Sequence, residues 1–208
     1  VANTDPDPDW LVVALHGYGG TGAEMVRALS AARGAAAVAI EGPNGPCDAP
    51  LARAGRAWYP ITSRAPLIAR HARGLVPAVV GHVADAQQRH RLTAERTCLV
   101  GFSQGASVVA AVLAHASVCR RAVLVCGRVP GEDPMEPAPT DLLVVTGGRD
   151  RFVRPDDVRA DLGSGRFGSP RMVVLPDLGH EFSDEVARLT MAHATRAAHA
   201  TRQVGSVR

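Results

Sequence analysis

The stretch "TCLVGFSQGASVV" (residues 97–109) reads as a short buried strand, an abrupt turn and the beginning of a helix that continues through "ASVVAAVLAHA" (106–116). Gly101-Phe102-Ser103-Gln104-Gly105 fits the spacing G-x-S-x-G. A strand that passes into a helix this sharply leaves no room for bulk beside the serine, which accounts for glycine at both ends of the motif. The turn lifts the Ser103 hydroxyl clear of the sheet. It also sets the Gln104 backbone N–H at a helix N-terminus, where it faces developing negative charge.

A serine nucleophile needs a base, and the base needs an acid to orient it. On a strand-turn-helix serine the expected chain order is serine, acid, histidine. "DLLVVTG" (141–147) is followed by Asp150, and "RMVVLP" (171–176) is followed by His180, each just past a strand end. Ser103, Asp150 and His180 are therefore expected at one edge of the sheet as nucleophile, orienting acid and proton carrier. The other histidines fit less well: His16 precedes the serine, and His71, His82, His90, His115, His193 and His199 fall in or beside predicted helices. Asp177 is an alternative acid but lies only three positions from His180, and Asp156, Asp157 and Asp161 belong to the next helix.

Near the N-terminus, "WLVVALHGYGGTGAEMV" (10–26) carries two readings. Gly17, Gly19 and Gly22 fit G-x-G-x-x-G between a strand and a helix, with Glu41 as the acidic partner of a dinucleotide site. His16 directly before the first glycine instead matches a turn that supplies an oxyanion-hole amide. The serine motif decides for the second, with Tyr18 N–H as the expected donor beside Gln104.

Apolar runs at 11–15, 36–40, 97–102, 122–127, 141–147 and 171–176 alternate with helical segments near 23–33, 66–90, 106–116, 155–162 and 183–200. That alternation predicts an α/β fold: a mostly parallel central sheet of about six strands with helices on both faces, in one domain. The ends, 1–9 and 201–208, are expected to be frayed. Two long loops, 41–66 and 127–140, should leave the C-terminal ends of strands, where open α/β sheets bind ligands.

Composition narrows the chemistry. The 208 residues are 46% hydrophobic and 21% charged, ordinary for a globular domain. All 23 basic residues are arginine, so Schiff-base, pyridoxal phosphate and P-loop chemistry, each needing a lysine, are excluded. A net charge of +3 gives no sign of nucleic-acid binding. Cys47, Cys98, Cys119 and Cys126 have neither zinc-ligand nor disulfide-framework spacing. No metal or cofactor is expected, no run is long enough for a membrane span, and the acidic, proline-rich start differs from a signal peptide, which reads as a cytoplasmic chain.

Taken together, "LHGYGGTG", "RAWYPIT" (56–62), "GFSQGA", "VLVCGRVP", "TGGRDRFVRP" and "GHEFSDE" resemble, in order from about residue 11 to 200, the α/β-hydrolase fold. More narrowly they resemble its carboxylesterase/phospholipase branch, which includes the acyl-protein thioesterases. The chain departs from that branch in having Pro60, not an acidic residue, after Trp58-Tyr59, and in leaving little room before Trp10 for extra antiparallel strands. The resemblance implies a serine esterase or thioesterase acting on a small acyl substrate through an acyl-enzyme. An acyltransferase or cyclase with the same triad, or a binding protein on the same fold, are the alternatives. Trp58 and Tyr59 are expected either to wall the acyl chain or to anchor their loop. Arg56, with Arg53, Arg64, Arg70 and Arg73, is expected either to pair with an anionic substrate group or to form a solvated face.

Overall fold

The computed structural model describes residues 7–129, 140–163 and 167–196. In chain order these form β1 (Trp10–Leu15), α1 (Gly22–Ala32), β2 (Val38–Glu41), β3 (Cys47–Asp48), β4 (Arg56–Ala57), α2 (Ala65–Gly74) and α3 (Val76–His90). After a short 3₁₀ turn follow β5 (Thr97–Phe102), α4 (Gln104–His115), β6 (Arg121–Val125), β7 (Asp141–Gly147), α5 (Pro155–Leu162), β8 (Arg171–Leu175) and α6 (Asp184–Ala194). Most of the second long loop and of the two expected frayed ends, with His199, lies outside the described residues.

Six strands form one sheet in the order β2-β1-β5-β6-β7-β8, every neighbouring pair parallel. The six apolar runs are these strands. β1 and β6 are buried at every position, as strands covered on both faces must be. Alternate residues divide the core in two. Leu11, Val13, Leu15, Leu99 and Leu124 face Ile68, Val79, Val83 and Val108 of α2, α3 and α4. Val12, Ala14, Val100, Val123 and Val145 face Met25 and Leu29 of α1 and Val186 and Met191 of α6. Each such Val, Leu, Ile or Met side chain contributes roughly 1.5–3 kcal/mol by leaving water. No helix among the described residues is long and apolar enough to cross a membrane.

Two expectations need correction. The single helix expected over 66–90 is two, because Pro77 has no N–H to continue the ladder; Leu75 closes α2 and α3 restarts with Pro77 in its first turn. The loop 41–66 is not structureless. Cys47 pairs with Ala57 and Asp48 with Arg56 in a small antiparallel ladder.

This topology places the site. The chain runs outward from β1 to β2 and then returns to β5, so the turns after β1 and β5 leave neighbouring strands at the point where strand order reverses. Backbones meet closely there. A Cβ on Gly105 would lie 2.3 Å from the Leu15 carbonyl oxygen, and one on Gly101 would lie 2.4 Å from that of Gly105. Gly81, exposed in the middle of α3, has nothing within 4 Å of its Cβ position. Two alanine substitutions should therefore have opposite signs in urea unfolding. Gly105→Ala should lose about 1–3 kcal/mol by overpacking, whereas Gly81→Ala should gain about 0.5–1 kcal/mol from helix propensity.

Candidate active site

Ser103 is the turn between β5 and α4, and its backbone is held at φ 53° and ψ −113°. A side chain rarely adopts that left-handed φ, and the surroundings enforce it: Ser103 N–H donates to the Val125 carbonyl at 2.9 Å, and a Cβ on Gly127 would lie 2.6 Å from the Ser103 carbonyl oxygen. The strained turn presents Oγ to His180 Nε2 at 2.9 Å. His180 Nδ1 lies 2.7 Å from Asp150 Oδ2. A carboxylate only accepts, so Nδ1 carries the proton and Nε2 is left to accept from the Ser103 hydroxyl.

Asp150 is built into its loop. Its side chain is wholly buried, and Oδ1 accepts the N–H groups of Phe152 at 2.8 Å and Val153 at 2.9 Å. His180 reaches the serine from β8, two strands beyond β6, because its loop folds back over the end of β7. Gly147 permits this, since a Cβ there would lie 2.4 Å from the Leu178 carbonyl oxygen. Phe102 and Phe152 flank the imidazole with ring centroids 5.3 and 5.2 Å away. Behind Asp150, burial and the neighbouring carboxylate push the Cys126 thiol up to about 12, so it stays protonated.

The turn after β1 adjoins Ser103. A Cβ on Gly17 would lie 3.2 Å from Ser103 Cβ. Among the described residues, neither Tyr18 N–H nor Gln104 N–H donates to another protein group. For Gln104 this follows from its place at the start of α4, where the first amides have no partner within the helix. His16 is held within the turn by both ring nitrogens. Its Nδ1–H donates to the Gly17 carbonyl at 2.7 Å, Nε2 accepts from Gly45 N–H at 2.9 Å, and burial lowers its pKa from the ordinary value. A cavity of about 190 Å³ opens beside this turn, lined by Tyr18, Met25, Ala28, Phe102 and Phe182 among others.

Three expected substrate contacts are placed elsewhere. Trp58 and Tyr59 are each 4% exposed and packed in the core with α2 and α4, so they anchor the loop and do not wall the cavity. Burial raises the Tyr59 phenol to about 12. Arg56 is turned onto its own loop, donating to Asp48 Oδ1, the Gly45 carbonyl and the Pro46 carbonyl. Arg53, Arg64, Arg70 and Arg73 are exposed.

The alternative titratable groups are engaged away from Ser103. Asp177 pairs with Arg149 on the surface, Asp156 with Arg159, Asp157 with Arg154 and Asp161 with Arg128. His71 stacks on Tyr59, His115 accepts from Arg73, and His193 bonds the Asp141 carbonyl. Glu41 carries Arg89 and His90, with His82 at 3.2 Å. The Gln104 side chain, which no motif flagged, bonds both the Trp58 N–H and the Tyr59 carbonyl. Among the described residues, no group of three or more His, Cys, Asp or Glu side chains is arranged to hold a metal ion.

A parallel sheet of this order, with helices on both faces, defines the α/β-hydrolase class. Within it the chain belongs to the phospholipase/carboxylesterase family, whose model matches residues 1–145. The match spans the β1 turn, the Trp58 loop and the Ser103 elbow; Asp150 and His180 lie beyond it. The fold is shared with esterase PE8 (TM-score 0.79, 21% identity, 92% of this chain and 94% of that one). It is shared also with SOBER1 of Arabidopsis thaliana (0.71, 16%, 89% and 97%) and a carboxylesterase of Mesorhizobium loti (0.71, 21%, 88% and 87%). Among curated proteins none matches the chain in sequence.

The buried neutral His16 predicts a pH dependence of stability. Its folded pKa is depressed, so as pH falls the unfolded chain takes up the proton first, near the ordinary value of about 6.5. Stability is therefore complete above about pH 6.5 and is lost below it. His193, lowered by burial in the same way, adds to the loss. Thermal unfolding should show Tm falling between pH 7 and pH 5, with a shallower fall in His16→Gln.

Proposed function

We propose that the protein is a serine hydrolase that cleaves a carboxylic ester or thioester of a small acyl substrate through an acyl-enzyme. The observation that carries this reading is the unbroken hydrogen-bond chain from Asp150 through His180 to Ser103, at 2.7 and 2.9 Å, beside two backbone amides without protein partners among the described residues. Membership of a hydrolase family supports it, and the apolar cavity beside the turn is of a size for a short apolar group.

In this mechanism Ser103 Oγ adds to the acyl carbon as its proton passes to His180 Nε2, and Asp150 stabilises the imidazolium. The carbonyl oxygen becomes an oxyanion that accepts from Tyr18 N–H and Gln104 N–H, the second aided by the α4 dipole. Collapse of the tetrahedral intermediate breaks the bond to the alcohol or thiol, which departs with the proton from Nε2. Water then repeats the sequence on the acyl-enzyme: His180 takes its proton, the oxyanion forms again, and the carboxylic acid leaves as Ser103 is reprotonated. Every proton is held by a residue of this chain, and no step calls for a cofactor.

Hydrolysis of p-nitrophenyl esters from acetyl to octanoyl, with one acyl thioester, tests the reading. Ser103→Ala should abolish turnover, and Asp150→Asn should lower kcat by about 10⁴-fold by mis-setting the imidazole tautomer. Undiminished turnover in Ser103→Ala would remove the proposed nucleophile. Products formed in the presence of a competing amine or alcohol separate hydrolysis from acyl transfer.

A further inference from the structure

We infer that the Gln104 side chain, acting through Trp58, is a positioning brace that sets the spacing of the two oxyanion amides. The inference rests on the hydrolytic reading and deepens it. The two amides belong to chain segments far apart in sequence, Tyr18 on the turn after β1 and Gln104 at the head of α4. Donors must reach the oxyanion at 2.7–3.1 Å, so a small relative shift of the two segments costs rate even if both remain folded.

The brace is a continuous path of hydrogen bonds between those segments. Gln104 is 8% exposed, and its carboxamide meets two consecutive backbone groups in complementary fashion. Oε1 accepts Trp58 N–H at 3.1 Å, and Nε2–H donates to the Tyr59 carbonyl at 2.9 Å. Trp58 in turn donates from its indole Nε1–H to the His16 carbonyl at 2.8 Å, and its ring lies 5.3 Å from the His16 imidazole. His16 ties the turn to the Trp58 loop, donating to the Gly17 carbonyl within the turn and accepting Gly45 N–H from the loop. The far end of the turn is stitched to the same loop, with Gly19 N–H donating to the Arg56 carbonyl and Arg56 N–H to the Gly20 carbonyl, both at 2.9 Å. Thus one residue carries an oxyanion donor on its backbone and, on its side chain, the first link to the other donor.

The chemistry required at position 104 is specific. A carboxamide sets a donor beside an acceptor at this reach whatever the pH, which an ionised carboxylate cannot do. Glutamate would set a carboxylate oxygen against the Tyr59 carbonyl, and alanine would leave the Trp58 N–H and the Tyr59 carbonyl buried without partners. The loop 45–59 is then a working part of the site: the link between its two halves, although Trp58 and Tyr59 are too deeply buried to meet substrate.

The test compares wild type, Gln104→Ala, the near-isosteric Gln104→Glu, Trp58→Phe and the double variant Gln104→Ala/Trp58→Phe, using p-nitrophenyl acetate and a trifluoromethyl ketone. The ketone adds Ser103 to give a hemiketal whose oxyanion occupies the hole, so its affinity reports the hole without turnover. Each single variant should lose about tenfold or more in kcat, less than the 10²–10³ typical of deleting a donor outright. KM should stay within about twofold, since the ground-state carbonyl draws little on these donors. Ketone affinity should fall in step with kcat. Because the two links act in series, the double variant should be no worse than the poorer single one. Unchanged kcat, or lower kcat with ketone affinity intact as fewer folded molecules would give, overturns the brace. A wild type active by Ser103 with an unaffected Gln104→Ala overturns the brace alone; a wild type inactive on esters and thioester overturns the hydrolytic reading with it.

Discussion

The backbone crossing at Ser103 leaves no space for side chains, and the rest of the site depends on it. Gly101 and Gly105 lie against each other across the turn, and Gly105 also lies against the carbonyl at the end of β1. Because those atoms are already in contact, Ser103 and the start of α4 are seated directly on the end of β1, while the turn beyond it is held through the Trp58 loop. Gly127, Gly147 and Gly148 extend the same principle along the sheet edge, letting the elbow and the histidine loop lie directly on strand ends. The left-handed φ at Ser103 costs of order 1–3 kcal/mol, supported by packing on both faces.

Electrostatics follow from that packing. Burial favours the neutral forms of His16, Tyr59 and Cys126. Asp150 reaches Ser103 through the imidazole, and the Gln104 N–H at the head of α4 donates to no other group among the described residues. Asp150 is itself secured by two backbone N–H groups of its own loop, so the histidine is oriented by a part of the frame that cannot swing.

Much of this was legible in the chain. Six strands stood out because each is an apolar run covered on both faces, and the order of Ser103, Asp150 and His180 marked three strand ends on one edge. The helix over 66–90 was misread where Pro77 divides it. The ladder of Cys47–Asp48 with Arg56–Ala57 gave no signal, since two-residue strands have no periodicity. Trp58, Tyr59 and Arg56 drew attention as substrate contacts because large aromatics and guanidinium groups in a long loop suit binding. Nothing local to the loop revealed that it folds inward upon Gln104 and His16.

By itself, then, the sequence determined the class of fold and singled out the groups proposed to react. Both are written in local terms: hydrophobic runs of a given length, and glycines beside a serine where a strand must become a helix. Only the tertiary structure decided how far apart those groups stand and what holds them there. The 2.7 and 2.9 Å contacts of His180, the inward turn of Trp58 and the pairing of the Gln104 carboxamide with a distant backbone arise from long-range packing. A carboxamide beside Ser103 has the same composition whether it meets solvent or the Trp58 loop, and only the folded chain supplies its partner.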